Sequence, residues 1–161
     1  MGRWFSLMAV QLVLLLGLAT QPAVAASRPA ITGSLSGQEV CFQFICGAAI
    51  FTGTFNGQVG DTPNVSGTWT VRVTHEDLPA AVGGTAAITG GEWQLLAGQL
   101  FGGRVRRGTL TFLGEDQYQI NVDLQLRQGG NGSVTFVGKL DHRPLNQTPP
   151  STPTVSGQLQ Q

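Results

Sequence analysis

The chain of 161 residues carries 9 basic and 9 acidic side chains, 2 histidines, 2 cysteines and 23 glycines, and only 11% of it is charged. With no charge excess it lacks the electrostatic footprint of a nucleic-acid or anionic-membrane binder. Gly and Pro are abundant but stay below the roughly 25–30% that marks low-complexity chains, and charge is under half of the usual ~25%, so hydroxyls and amides supply the polarity, as on the solvent faces of a β-rich domain.

Arg3 precedes an apolar run from Leu7 to Leu18, and Ala23-Val24-Ala25 follows Gln21-Pro22, the layout of a secretory signal peptide over residues 1–25 with cleavage after Ala25 or Ala26. The apolar run is shorter than the roughly 20 residues a spanning helix needs. The expectation is an exported chain, periplasmic or extracellular, with no transmembrane segment. A membrane-spanning β-barrel is disfavoured because the aromatic girdles of that class are missing.

The remainder reads as strands with almost no helix. The expected strands, in chain order, are 31–36, 38–45, 48–55, 66–74, 85–96, 105–113, 117–127, 133–140 and a short last one at 154–159. Residues 117–127 carry the clearest signal, with Tyr118, Ile120, Val122, Leu124 and Leu126 alternating against polar neighbours. Gly114-Glu115-Asp116 joins this strand to the one before, and Gln128-Gly129-Gly130-Asn131-Gly132 joins it to the one after, making a three-stranded meander. Arg143 to Pro153, with Pro144, Pro149 and Pro150, reads as a stiff extended linker. The domain plan is therefore a β domain over 26–143, a Pro-rich linker over 144–153, and a final strand or tail over 154–161.

One spacing recurs: apolar, any, Gly, any, apolar. It occurs at Ile31 to Leu35, Phe51 to Phe55, Val65 to Trp69, Phe136 to Leu140 and Val155 to Leu159. With a period of 2, each central Gly shares a face with its two apolar flanks and points at the core. Inward glycine weakens a strand unless a bend or a close backbone approach needs it. The pattern predicts strongly coiled strands in an all-β fold, a small antiparallel barrel of about 8–9 strands with large side chains opposite the glycines. A β-sandwich is the alternative. Trp69 and Trp93 alternate with Val71, Val73 and Leu95, which places them in the core rather than on a sugar-stacking platform.

No nucleophile elbow, phosphate loop or dinucleotide fingerprint is present. Imidazole and carboxylate meet only in His75-Glu76-Asp77 and Asp141-His142. Thr74 to Asp77 also has a plain reading as a capped turn before Pro79. Arg104-Val105-Arg106-Arg107 reads as an edge or solvent-face guard against sheet pairing. The sequons at Asn64, Asn131 and Asn146 fall in expected loops or the linker.

Cys41 and Cys46 pose a geometric choice. In an exported protein an even cysteine count favours a disulfide. A continuous strand would hold the two Cα atoms roughly 16 Å apart, leaving free thiols with Val40, Phe42 and Phe44 in the core. A bridge instead makes Phe42-Gln43-Phe44-Ile45 a hairpin tip, and Phe42, Phe44 and Ile45 become a docking point for a partner.

If consecutive strands from 66 to 140 are antiparallel neighbours, those ending at Thr74, Leu113 and Leu140 point the same way. One rim then collects His75, Glu76, Asp77, Glu115, Asp116, Asp141 and His142, while Arg104 and Arg127, with Arg106 close by, lie toward the other. That arrangement holds for His75 only if Gly90-Gly91 is a bulge rather than a turn. Crowded carboxylates would raise one another's pKa and favour a cation, a divalent metal or a basic partner, and the competing reading is a solvated loop surface. Two functions follow. The leading one is a non-catalytic exported barrel that binds a small molecule or protein partner, or has a structural role. The rival is a small barrel enzyme, an isomerase or a metal-assisted lyase or hydrolase, using the His and carboxylate rim.

Overall fold

The structure, a computed structural model, describes residues 30–41, 48–143 and 152–161. The signal segment 1–25, Cys46, the tip residues Phe42, Phe44 and Ile45, and most of the Pro-rich linker lie outside the described residues, so the Cys41–Cys46 pairing does too.

The strands are β1 (Ile31–Cys41), β2 (Ala48–Val59), β3 (Thr62–His75), β4 (Thr85–Ala97), β5 (Gln99–Gly114), β6 (Gln117–Gln128), β7 (Gly132–Asp141) and β8 (Thr154–Gln160). Each pairs antiparallel with the next, and β8 pairs antiparallel with β1, closing an eight-stranded barrel. The last strand is thus one stave of the barrel. No strand is an edge, which removes the edge reading for Arg104 to Arg107: β5 is bonded to β4 on one side and β6 on the other, and Arg104, Arg106 and Arg107 are exposed on its solvent face.

Closure of so small a barrel depends on the inward glycines. Gly33 pairs with Gly57, Gly37 with Gly53, and Gly138 with Gly157, each pair side by side on neighbouring strands. A Cβ built on Gly53 would stand 2.0 Å from the Ser36 carbonyl oxygen, so the strands coil closer than any side chain permits. The space is taken by rings. Phe55 lies over Gly33 and Gly57, and Phe136 over Gly138 and Gly157.

Two bulges keep the apolar face inward where strict alternation would lose it. In β4 the register slips at Thr74/His75, which pair with Gly90 and Ile88, so Ile88 and Trp93 both face in although five positions apart. The extra residue is Thr89, next to Gly90-Gly91, so these glycines mark a bulge site rather than a turn and β4 is one strand. In β5, Arg106 is the extra residue between Val105 and Arg107, and both Val105 and Leu110 are buried.

The outward positions are mostly polar, with Val40, Leu96, Leu100 and Leu113 as exposed apolar exceptions. On β8, β1, β2 and β3 they are mostly Ser, Thr, Asn and Gln, with hydroxyls bonded across strands, as Ser36 to Thr54 at 3.1 Å and Ser66 to Asn56 at 2.8 Å. On β4 to β7 they include Glu92, Arg104, Arg107, Asp123 and Lys139. An apolar inside and a polar outside is the reverse of a lipid-facing barrel. No helix among the described residues is long and apolar enough to cross a membrane.

Sequence and structure differ at two further points. Residues 31–36 and 38–45 were expected as separate strands, but β1 runs through Gly37 without a break. Its parity is set from Ile31 and Leu35, so Val40 faces out, 46% exposed, and Glu39 faces in. The sequon residue Asn64 lies in β3 rather than in a loop, at a left-handed φ of 57°.

Candidate functional site

Because β1, β3, β5 and β7 are alternate staves, they run the same way and end on one rim. The interior differs along its length. Toward the other rim it is filled by Phe55, Phe101 and Leu126 and by Trp93, whose Nε1 donates to the Gln125 carbonyl at 3.0 Å. Toward the shared rim it holds a cavity of about 40 Å³. A water molecule needs roughly 10–15 Å³ on this scale, so the space admits a few waters or a small organic group. Its walls are apolar, among them Leu35, Phe51, Trp69, Ile120 and Val155, with three ionisable side chains at the rim end: Glu39, His75 and His142.

Glu39 is the fifth inward position of β1 and is 2% exposed. Its main-chain N–H donates to the Pro153 carbonyl at 3.0 Å, which ties β1 to the residues just before β8. Its Oε2 accepts a hydrogen bond from Nε2 of His142, which is 8% exposed. His142 follows β7 directly, and its N–H donates to the Asp116 carbonyl at 2.9 Å, which fixes the ring beside the β5–β6 turn. Glu115 and Asp116 occupy that turn with φ of 51° and 56°, the signs of a type I′ hairpin. The His142 ring meets Tyr118 edge-on, with centroids 5.5 Å apart, and Tyr118 leans on Phe112 at 5.2 Å. Burial raises the Tyr118 hydroxyl pKa above the ordinary phenol value, and the Asp116 and Glu39 charges add to the rise.

His75 closes β3. Its Nδ1 donates to the Glu76 carbonyl at 2.6 Å, since a carbonyl can only accept. In the neutral ring this leaves Nε2 as an acceptor. Glu76 is bound to the far side of the same loop: its N–H donates to the Ala87 carbonyl, and its Oε2 accepts from the Ala87 N–H at 3.0 Å. Thr74 bonds to Thr89 at 3.0 Å, so the capped turn expected over Thr74 to Asp77 does not form, and Asp77 is exposed.

Asp141 shows a correction. Crowded carboxylates were expected to raise one another, yet the Asp141 pKa is lowered to about 2. The cause is Arg143, a residue outside the sequence-based rim set, whose guanidinium grips both carboxylate oxygens at 2.6–3.1 Å. Arg143 also approaches Glu115 at 3.8 Å. Among the described residues no three or more His, Cys, Asp or Glu side chains converge as metal ligands. Of the basic residues singled out in the sequence, Arg104 is paired across strands with Glu92, Arg107 binds Asp123 at 3.0 Å, and Arg127 leans on Gln125.

The seven sequence-based site residues thus divide. His142 and His75 reach the cavity, and Asp116 holds His142 through its backbone. Glu76, Asp77, Glu115 and Asp141 stay on the rim surface. Glu39, Tyr118 and Arg143 were missed. Counting by twos from Ile31 through Leu35 would have found Glu39. No protein-family description, curated protein or solved structure matches this chain.

Proposed function

We propose that this exported barrel is a binding protein for a small, mainly apolar molecule, taken into the cavity below the rim formed by the ends of β1, β3, β5 and β7. One observation carries the reading: a hydrogen-bonded Glu39–His142 pair faces an otherwise apolar cavity. Burying such a pair costs several kcal/mol in desolvation, and well-packed apolar residues in its place are often equally or more stabilising. A pair retained against that cost, beside open space, is suited to orienting a ligand. The same pair favours a second reading, proton transfer by a small isomerase, since a carboxylate-oriented imidazole is a general base.

The test is an NMR titration of the full chain with n-butanol, which offers a short apolar chain and one hydroxyl. Binding in the millimolar range, about 4 kcal/mol, is expected, with shifts confined to cavity methyls such as those of Leu35, Ile120 and Val155. No shift at those methyls would overturn the reading.

A further inference from the structure

Resting on that reading, we infer that Leu78, carried by the nine-residue connection between β3 and β4, is the gate of the cavity: its side chain rotates out of the mouth to admit the ligand. Among the described residues, every other member of the cavity wall except His142 lies on a strand. Each strand is paired on both sides in a closed barrel, and a close-packed wall of that kind yields little. His142 is tied to Glu39 through its ring and to Asp116 through its main-chain N–H. Leu78 is held in place by packing against the core, and it is only half-buried.

Two anchors position the loop around Leu78. At the β3 end, Glu76 is bonded to Ala87 through both its main chain and its side chain. At the β4 end, the Gly83 N–H donates to the Phe112 carbonyl at 2.8 Å and the Phe112 N–H to the Gly84 carbonyl at 2.9 Å, which carries the β4–β5 ladder past Thr85. The Gly84 N–H also donates to the Ala81 carbonyl at 2.8 Å, and Pro79 lies so close to Gly84 that a Cβ there would stand 2.8 Å from its own Cβ. Pro79 to Gly84 is thus a compact turn fixed to β5. Leu78 stands in the short link between the anchors, beside the exposed Asp77, so it can rotate without breaking either. At about 40 Å³ the cavity is tight for an alkyl chain, and withdrawal of Leu78 adds the space of its side chain at the rim end.

The experiment titrates n-butanol into the full chain and into its Leu78→Ala and Val82→Ala variants, read by NMR at the Leu35, Ile120 and Val155 methyls. Leu78→Ala is expected to bind about tenfold tighter than wild type, because the ligand no longer displaces a half-buried leucine. Val82 is on the same loop but 73% exposed and outside the cavity wall, so Val82→Ala is expected to keep the wild-type affinity. In the wild-type chain the Leu78 methyls are expected to shift together with those of the cavity. An affinity in Leu78→Ala equal to or below that of wild type, or an equal gain in Val82→Ala, overturns the gate and leaves the cavity reading intact. Binding by Leu78→Ala alone shows a side chain that does not yield, and overturns both. If neither protein binds, both fall as well. Should Leu78→Ala not fold, the wild-type Leu78 methyls decide: unmoved at butanol saturation, they overturn the gate.

Discussion

The two ends of the barrel interior are built from the same staves by the same alternation, yet one is packed and the other holds a cavity with an ionisable pair. In β1 the inward positions run Ile31, Gly33, Leu35, Gly37 and Glu39. At the first end, Phe55 fills the space that Gly33 and Gly57 leave. At the second, a carboxylate takes the next inward place and must find its partner in His142, 103 residues away along the chain. Packing at the first end is settled mainly between neighbouring strands, with the Trp93 bond to Gln125 reaching one strand further. The second end depends on β1, the end of β7, the β5–β6 turn and the residue before β8 all arriving together.

The largest effect should come from making the cavity end half apolar. Glu39→Leu takes the acceptor from a buried imidazole and is expected to cost about 3–5 kcal/mol in urea unfolding. The double change Glu39→Leu with His142→Leu is expected to recover that loss, ending near the wild type or up to about 4 kcal/mol above it. If the double variant stays as unstable as the single one, the pair is a net structural support, and the contrast between the ends is wrong.

The packed end should break differently. A Cβ on Gly57 would meet the Thr32 carbonyl oxygen at 2.1 Å and the Gly33 Cα at 2.6 Å, both backbone, so nothing nearby can turn aside. Gly57→Val is expected to cost about 3 kcal/mol, the upper part of the overpacking range, with no apolar partner change to rescue it. Gly60→Ala is the control. Gly60 has open space around it and a φ of 57°, so only backbone strain of about 1 kcal/mol is expected.

This contrast also marks how far the sequence could be read. The alternation of Tyr118 to Leu126 and the apolar-Gly-apolar triplets are local patterns, and they led to the all-β barrel with inward glycines. Glu39 was hidden because Gly37 read as a strand break, and the apolar Val40, Phe42 and Phe44 then drew the parity the other way. The real strand keeps the register of Ile31 and Leu35, since Gly37 pairs with Gly53 inside the barrel. The early start of β5 at Gln99 was hidden for a related reason: Gly102 and Gly103 leave little periodic signal, and a Cβ on Gly103 would meet the Gln125 carbonyl at 1.8 Å, a contact no local pattern encodes. The rim set could be reached by counting strand directions. Arg143, which changes the chemistry of that rim, sits one residue beyond it.

A smaller effect tests whether the packed end relies on a polar contact as well. Trp93 is 3% exposed and its Nε1 donates to Gln125. Trp93→Phe removes that bond and part of the ring, with an expected loss of about 1–2 kcal/mol. A loss as large as that of Glu39→Leu would show that the two ends do not differ in how they treat a polar group.

The smallest effect lies on the rim outside the cavity, where solvent screens the charges. Asp141 has a folded-state pKa lowered to about 2 by Arg143, so over the interval from the ordinary carboxyl value near 3.8 down to 2 the unfolded chain binds more protons than the folded one. Stability therefore rises with pH across that interval. The contribution is complete above about pH 4 and is lost as pH falls through 2. The side chains of Arg143 and Asp141 are 47% and 24% exposed, so screening holds the effect to about 1 kcal/mol or less. Asp141→Asn should be less stable than wild type by that amount at neutral pH and should converge on it near pH 2, and 1 M salt should narrow the gap. Unfolding curves for the two proteins that stay parallel from pH 7 to pH 2 would show that the Asp141–Arg143 contact adds nothing titratable to the fold.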